Sequence, residues 1–127
     1  FMNGSGSIQN LVEHECGGVG LIRSVKGTIR ANHFHKEDWH YLYVLEGRCH
    51  YFERPHGSTE RVDGIRVMPG QMVFTPPMVE HAVWFTEETL CLSISKFGRT
   101  HEQHEADVVR LPELMISEAY MKEWRSR

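Results

Sequence analysis

The sequence predicts an all-β fold, a sandwich or barrel of short strands, and two observations lead to this prediction. Residues 19–95 form a run of short apolar-rich segments separated by turn residues, a pattern typical of β-sandwiches and barrels. Four histidines also stand at strand-compatible spacing between turn glycines and prolines: His33, His35, His40 and His81. At 127 residues the chain has the length of a single domain with a small core.

Eight strands are predicted in chain order. They are Val19–Val25, Thr28–Phe34, Trp39–Glu46, Arg48–Arg54, Arg61–Val67, Gln71–Thr75, His81–Phe85 and Leu90–Ser95. The segments between them carry the residues that end strands and form turns, such as Gly47, Pro69-Gly70 and Pro76-Pro77. We therefore expect a barrel over residues 11–110.

The two ends of the chain differ from this pattern. Residues 1–10 are rich in Gly, Ser and Asn and predict a flexible lead or a cloning remnant. In the tail, residues 111–127, Pro112 is suited to open a helix from Glu113 to about Arg125. Ile116, Tyr120 and Trp124 would form an i, i+4, i+8 stripe on this helix. We expect the stripe to pack on the barrel or on a second subunit.

Composition and charge narrow the function classes. The net charge is -3 and no basic run stands out, which argues against nucleic acid as a partner. No apolar run approaches 18 residues, so no transmembrane helix is predicted. Cys16, Cys49 and Cys91 are odd in number and far apart, which favours free thiols and a cytoplasmic location. The expected partner is a small molecule.

The four histidines predict one mononuclear metal site. His33 and His35 point to the same face of a strand, because side chains alternate. His40 opens the next strand, and His81 follows the stiff Pro76-Pro77 turn on a distant one. Neutral imidazoles suit a divalent transition metal, but ligand type does not select among Fe, Mn, Ni, Co, Cu and Zn. Four protein ligands on a six-coordinate ion would leave two positions open.

Two segments carry a family resemblance. They are Gly27-x5-His33-x-His35-x4-His40-x6-Gly47 and Gly64-x4-Pro69-Gly70-x5-Pro76-Pro77-x3-His81. Together they resemble the two motifs of the cupin superfamily, which implies a double-stranded β-helix (jelly-roll) barrel with the metal in its mouth. His40 stands where the family usually has glutamate, and a four-histidine site has precedent there. The apolar Phe85 stands where the second motif usually ends in asparagine.

Further site residues follow from strand positions. The expected catalytic residues are His40, Glu80 and Tyr41. The expected lining of the substrate pocket is Leu42, Val44, Phe52, Phe74, Val83 and Phe85. One or two of four arginines could also face inward to bind an acid group, and strand parity leaves the choice open: Arg23, Arg30, Arg48 and Arg66.

Three function hypotheses remain open at this point. The favoured one is a metal-dependent cupin enzyme of the dioxygenase or oxidoreductase type acting on a small organic molecule. The second is a sugar-nucleotide isomerase or epimerase, with His35 as base and Tyr41 or Tyr43 as acid, since Thr75–His81 and Ala106–Arg110 resemble small deoxysugar-epimerase cupins. The third is a non-catalytic binding or sensing module. A homodimer joined through sheet edges is expected in each case.

Overall fold

The computed structural model of the chain describes residues 1–98 and 100–126, so residue 127 of the predicted tail lies outside the described part. Within this part the chain forms eleven strands and two helices. The strands are β1 (Met2–Asn3), β2 (Gly6–Ser7), β3 (Gly18–Ser24), β4 (Ile29–His35), β5 (His40–Glu46), β6 (Cys49–Pro55), β7 (Ile65–Val67), β8 (Met72–Thr75), β9 (Val79–Phe85), β10 (Thr89–Ser95) and β11 (Val108–Arg110). The helices are α1 (His101–Asp107) and α2 (Glu118–Arg125).

Two antiparallel sheets form the body of the molecule. One has the strand order β3-β10-β5-β8 and the other β11-β4-β9-β6-β7. Buried side chains from both sheets meet in one apolar core, made of Val44, Cys49, Tyr51, Val67, Val83, Phe85 and Cys91. The predicted all-β architecture is confirmed. Among the described residues, however, no hydrogen-bonded strand pair joins the two sheets, so they do not form a closed barrel.

A second core lies on the outer face of the five-stranded sheet, beneath α2. It contains Phe52, Ala82, Trp84, Met115, Ile116, Tyr120 and Met121. The predicted stripe of Ile116, Tyr120 and Trp124 therefore packs on this chain's own sheet. Each fully buried side chain of this size contributes about 1.5–3 kcal/mol, so the tail is an integral layer of the fold.

The elements differ from the predicted ones mainly near the ends of the chain. Helix α2 begins at Glu118, five residues after the predicted start, because the Ser117 side chain accepts a hydrogen bond from the Tyr120 backbone N–H and caps the helix there. Helix α1 and strand β11 were not predicted. Residues 1–10, predicted as a flexible lead, contain the exposed β1–β2 hairpin. Among the described residues, no helix is long and apolar enough to cross a membrane.

Candidate active site

A cavity of about 270 Å³ opens between the two sheets. The four predicted histidines all line it. The cavity also receives side chains that the sequence did not single out, among them Tyr51, Thr75 and His104. Strands β4, β5 and β9 thus bring residues from three separate parts of the sequence to one place.

A β-bulge in β4 sets the direction of the histidines. The pairing with β9 shifts between Ala31 and His33, so that His33 lies directly opposite His81. Ala31 and Asn32 have φ angles of 68° and 59°, a conformation that non-glycine residues rarely adopt. Asn32 is held from outside, because its Oδ1 accepts the Met115 N–H at 2.9 Å and its Nδ2 donates to the Glu113 carbonyl at 3.1 Å. The bulge turns the side chains that follow it, including His33, toward the cavity.

Three of the histidines form a group with metal-ligand spacing. One ring nitrogen from each of His33, His35 and His81 lies within 4.8 Å of the others. His40 belongs to a neighbouring group with His35 and Asp38. Its Nε2 is 3.0 Å from His35 Nε2 and 3.3 Å from Asp38 Oδ2. His35 is shared by both groups and is therefore the centre of the cluster.

The other ring nitrogens of two histidines are fixed by hydrogen bonds. His35 Nδ1–H donates to Asp107 Oδ2 at 3.2 Å, and His81 Nδ1–H donates to the Val79 carbonyl at 3.1 Å. Such bonds hold the tautomer in which Nε2 carries the free lone pair, as in metal-ligating histidines. Ligands about 2.1 Å from an ion and at right angles to each other lie about 3.0 Å apart, which matches the His35–His40 separation. The donor set thus fits a divalent transition metal.

Burial keeps these imidazoles neutral. Burial, together with the three other cluster histidines and His104, lowers the pKa of His33 to about 2. Burial lowers the pKa of His81 to about 4. Burial also lowers the pKa of His35, although Asp38 and Asp107 oppose this shift. At neutral pH His33, His35 and His81 therefore offer uncharged nitrogens, which can bind a metal or accept a proton.

Asp107 is the functional residue that sequence reasoning missed. It lies at the end of α1, is 8% exposed, and approaches His35 across 72 residues of chain. Its carboxylate also accepts the backbone N–H groups of Glu37 and Asp38 at 2.8 and 3.1 Å, which fixes its position. The pairing of β11 with β4 brings it here. The resemblance of Ala106–Arg110 to deoxysugar-epimerase cupins pointed to this segment, but not to a role for Asp107.

Two further polar side chains reach the cavity. The Tyr51 hydroxyl donates to Glu53 Oε2 at 2.9 Å and shares a hydrogen bond with Thr75 Oγ1, while burial raises its pKa above the usual range. Arg30 donates to the Ser24 hydroxyl at 2.7 Å and to the Arg23 carbonyl at 3.2 Å. Of the four candidate arginines, Arg30 is the one that lines this cavity among the described residues.

Two predicted catalytic side chains do not point into the cavity. Glu80 alternates with His81 on β9 and so faces the outer layer, where it pairs with Arg54 at 2.6 Å and with His56 at 2.9 Å. Burial opposes its ionisation, but these two partners lower its pKa. The Tyr41 hydroxyl lies 3.1 Å from His14 Nε2 at an exposed position, although the residue borders the cavity. The alternative acid Tyr43 donates to Gln9 at 2.8 Å.

Some of the residues expected to form the apolar lining of the pocket reach the cavity, and others do not. Leu42, Val83 and Phe85 line the cavity, and Val44 is fully buried in the core next to it. Phe52 does not reach it, because Tyr51 holds the inward position on β6 and Phe52 packs on Tyr120 beneath α2. Phe74 is 44% exposed and packs on Tyr41 outside the sheet. Neighbouring residues on a strand face opposite sides of the sheet, so an error of one residue in assigning the inward positions places a side chain on the wrong face.

Comparisons with known proteins rest on structure alone, since no family model and no curated protein sequence matches the chain. The QdtA 3,4-ketoisomerase from Thermoanaerobacterium thermosaccharolyticum, solved with TDP, has a TM-score of 0.70 at 20% identity over 96% of this chain and 89% of that one. The dTDP-4-dehydrorhamnose 3,5-epimerase from Sulfolobus tokodaii has a TM-score of 0.67 at 14% identity over 96% and 83%. The capsular polysaccharide assembling protein CapF from Staphylococcus aureus has a TM-score of 0.67 at 18% identity, and the match spans 27% of its length.

These neighbours overturn the favoured function hypothesis. The sequence pointed first to a metal-dependent dioxygenase or oxidoreductase, but the similar structures include sugar 3,4-ketoisomerases and a 3,5-epimerase. That prediction is wrong, and the isomerase or epimerase alternative is the better supported one. The fold prediction is confirmed: the chain has the jelly-roll fold seen in these ketoisomerases and in the 3,5-epimerase.

Proposed function

We propose that this chain is a sugar-nucleotide isomerase or epimerase that moves a proton on a keto sugar. The observation that carries this proposal is the His35–Asp107 pair on the cavity wall, with 3.2 Å between His35 Nδ1 and Asp107 Oδ2. A buried carboxylate behind a neutral imidazole orients the ring and stabilises the imidazolium that forms when the ring takes a proton. The fold shared with ketoisomerases and an epimerase supports the same reaction class.

The proposed chemistry needs one base and one hydrogen-bond donor. His35 Nε2 removes the proton from the carbon next to the sugar carbonyl, and the electron pair moves onto the carbonyl oxygen. The Tyr51 hydroxyl faces the cavity and replaces Tyr41 and Tyr43 as the expected donor. On substrate binding it would turn its single proton from Glu53 Oε2 to the sugar oxygen. For an isomer, the former carbonyl oxygen gains a proton, the hydroxyl on the deprotonated carbon loses its proton to become the new carbonyl, and the abstracted proton returns to the former carbonyl carbon. Return of the proton to the opposite face of the same carbon gives an epimer.

The proposed substrate is a nucleoside-diphosphate keto sugar. QdtA structures contain TDP or TDP-4-keto-6-deoxyglucose, which sets the class to test first. A cavity of about 270 Å³ is at the small end for ligand sites, so we expect it to take the sugar ring. Arg30 lines this cavity and is exposed, and its guanidinium is the expected partner of the diphosphate.

We also propose that the histidine cluster holds one divalent transition metal. The hydrogen bonds of His35 and His81 support this, because a proton held on Nδ1 leaves Nε2 of each ring unprotonated and able to bind a metal. The proposed ligands are His33, His35 and His81, with His40 as the fourth. A metal bound here would act as a Lewis acid toward the sugar carbonyl. His35 Nε2 cannot bind a metal and act as the base at once, so the proposed acid–base mechanism applies to the protein without a metal at His35.

Proton exchange with solvent tests the proposed function. The protein is incubated with TDP-4-keto-6-deoxyglucose in D2O, and the sugar is followed by NMR. Deuterium at C4 of a 3-keto product indicates a ketoisomerase, and deuterium at both C3 and C5 of a 4-keto product indicates an epimerase. His35→Asn should abolish exchange, whereas His56→Asn, on the outer face, should retain it. Tight binding of the sugar nucleotide without any exchange would contradict the enzyme and favour the binding-module hypothesis.

A homodimer is proposed on a separate observation. Three apolar side chains on the four-stranded sheet are strongly exposed: Val19 at 64%, Leu21 at 67% and Phe74 at 44%. Strand β3 is also an edge strand, with one side open to pairing. Sedimentation equilibrium should give twice the chain mass, and Leu21→Lys should shift the protein toward the monomer. A monomer at all concentrations would exclude this assembly.

A further inference from the structure

A second and larger cavity lies outside the sheet sandwich, between α2 and the outer face of the five-stranded sheet. We call it the basic groove; it is about 590 Å³ in volume and is lined by Lys26, Arg48, Arg66, Arg125, Trp84 and Trp124. These residues come from the β3–β4 turn, the β5–β6 turn, β7, β9 and α2. The four cations are far apart in sequence, so only the fold brings them together. The histidine cavity shares none of these residues.

The charge in the basic groove is largely uncompensated. Arg48 pairs with Glu87 at 3.2 Å. Within residues 1–98 and 100–126, no carboxylate lies within ion-pair distance of Lys26, Arg66 or Arg125. The chain as a whole carries a net charge of -3, so the basic groove is a local cluster of positive charge on a protein that is negative overall. Like charges held close together repel each other, and an anion bound between them would remove that repulsion.

Two indole rings hold the guanidinium groups in place. Arg66 lies over the Trp124 ring at 5.2 Å, and Arg125 lies over the Trp84 ring at 5.7 Å. Such contacts restrict flexible side chains and leave their N–H groups free to donate sideways. Preorganised guanidinium groups match the oxygens of a phosphate better than mobile lysines do.

An unpaired hydroxyl provides an independent sign of a ligand. Thr86 lines the basic groove, and its Oγ1 is buried with no hydrogen-bond partner among the described residues. Buried polar atoms are nearly always paired, because an unpaired one costs free energy. Next to it, His50 is fully buried against both indoles and hydrogen-bonds the Tyr120 hydroxyl at 2.8 Å, so it adds no charge of its own at neutral pH.

We propose that the basic groove is a second ligand site and binds a phosphorylated small molecule. Its phosphate would contact Arg66, Arg125 and the Thr86 hydroxyl. The groove is much larger than a phosphate ion, so its ligand is expected to be a phosphate ester with an organic group. This site is independent of the function proposed for the histidine cavity, because the two cavities lie on opposite faces of the same sheet.

Titration calorimetry with inorganic pyrophosphate and ribose 5-phosphate tests the proposal. Both probes should bind, and Arg66→Gln and Arg125→Gln should each raise Kd about tenfold. Arg61→Gln is the matched control, because Arg61 is equally exposed and lies outside the groove. Thr86→Val should weaken binding without lowering Tm, since valine has the same shape and removes an unpaired hydroxyl. That combination separates a binding role from a structural one.

NMR of the three indole N–H groups locates the probe. The signals of Trp84 and Trp124 should shift on binding, and that of Trp39 should not. No binding at 10 mM probe would overturn the proposal. So would binding that Arg30→Gln abolishes and Arg66→Gln leaves intact, because the phosphate would then occupy the histidine cavity. Binding of a single-stranded oligonucleotide in place of both small probes would likewise overturn it.

Discussion

His35 and Asp107 are 72 residues apart in sequence and are joined by a hydrogen bond of 3.2 Å on the wall of the inner cavity. Asp107 has two backbone N–H partners besides His35, so its carboxylate cannot turn away from the ring. This pair fixes the orientation and tautomer of the central histidine. The first two predictions depend on it and on the cluster that surrounds it.

Asp107→Asn should remove most of the proposed activity while leaving the substrate site intact. The amide no longer favours the His35 tautomer with a proton on Nδ1, and it cannot stabilise an imidazolium. We expect proton exchange to slow by about 10²–10⁴-fold with a smaller change in KM. Glu105→Gln, on the exposed side of α1, serves as the control. Equal exchange rates in Asp107→Asn and the parent protein would exclude His35 as the base.

The metal content of the protein should depend on the histidines of the cluster. Protein purified without a metal-affinity column should contain about one equivalent of a divalent transition metal by elemental mass spectrometry. His33→Ala and His81→Ala should lose it, and His40→Glu should keep it because a carboxylate replaces one ligand by another. If His40→Ala leaves affinity and the Co²⁺ spectrum unchanged, His40 is not a ligand. If the protein holds no metal even after reconstitution, the metal proposal is wrong and the acid–base proposal is the one that remains.

Acid should destabilise the fold through its buried neutral histidines. Burial, together with the nearby charges of Arg66 and Arg48, lowers the pKa of His50 to about 4. In the unfolded chain His50 is protonated below pH 6.5, whereas in the folded chain it stays neutral until about pH 4. The free energy of unfolding that His50 contributes is therefore fully present above pH 6.5 and falls as the pH drops from 6.5 to about 4.

His50→Gln isolates this contribution, because glutamine does not titrate. Urea unfolding at pH 7.5, 6.0 and 5.0 should show a loss of free energy on acidification that is smaller in the variant by about 2 kcal/mol at pH 5. His14→Gln, at an exposed position, should behave like the parent protein. The same slope in His50→Gln and the parent would contradict the neutral, buried state of His50.

Gly47 should tolerate no side chain. It has φ 86° in the turn between β5 and β6, and an added Cβ would overlap the Glu88 carbonyl and lie 2.8 Å from Thr89 Cα. Gly57 is a matched control, since it has φ 90° and open space around it. Gly57→Ala should cost about 1 kcal/mol, and Gly47→Ala should cost at least about 2 kcal/mol more. Equal midpoints in urea would show that the turn can move.

Much of the fold and part of the site could be predicted from local pattern. Turn residues at regular intervals marked the strands, and the alternation of His33 and His35 with Phe34 placed both rings on one face. The cluster of four histidines in one cavity followed from these positions and from the spacing of the turns. These features depend on residues close together in sequence, which is why sequence reasoning reached them.

The errors in the predicted site arose where the pairing of strands distant in sequence determines which side chains face the cavity. Phe52 was assigned to the pocket and Tyr51 was overlooked, because inward and outward faces on β6 depend on its pairing with β9 rather than on local pattern. Asp107 could not be found, since its approach to His35 requires β11 to pair with β4. The dioxygenase prediction failed for another reason: the same barrel and ligand types support several chemistries.

Strand β9 is hydrogen-bonded on both sides, to β4 and to β6, and six of its seven residues are buried. His81 and Val83 face the inner cavity, while Trp84 faces the basic groove. Amide hydrogens in such a strand exchange with solvent only when the whole domain opens, whereas the exposed β1–β2 hairpin should exchange almost at once. Both cavities therefore have part of their wall on the strand that is expected to open last.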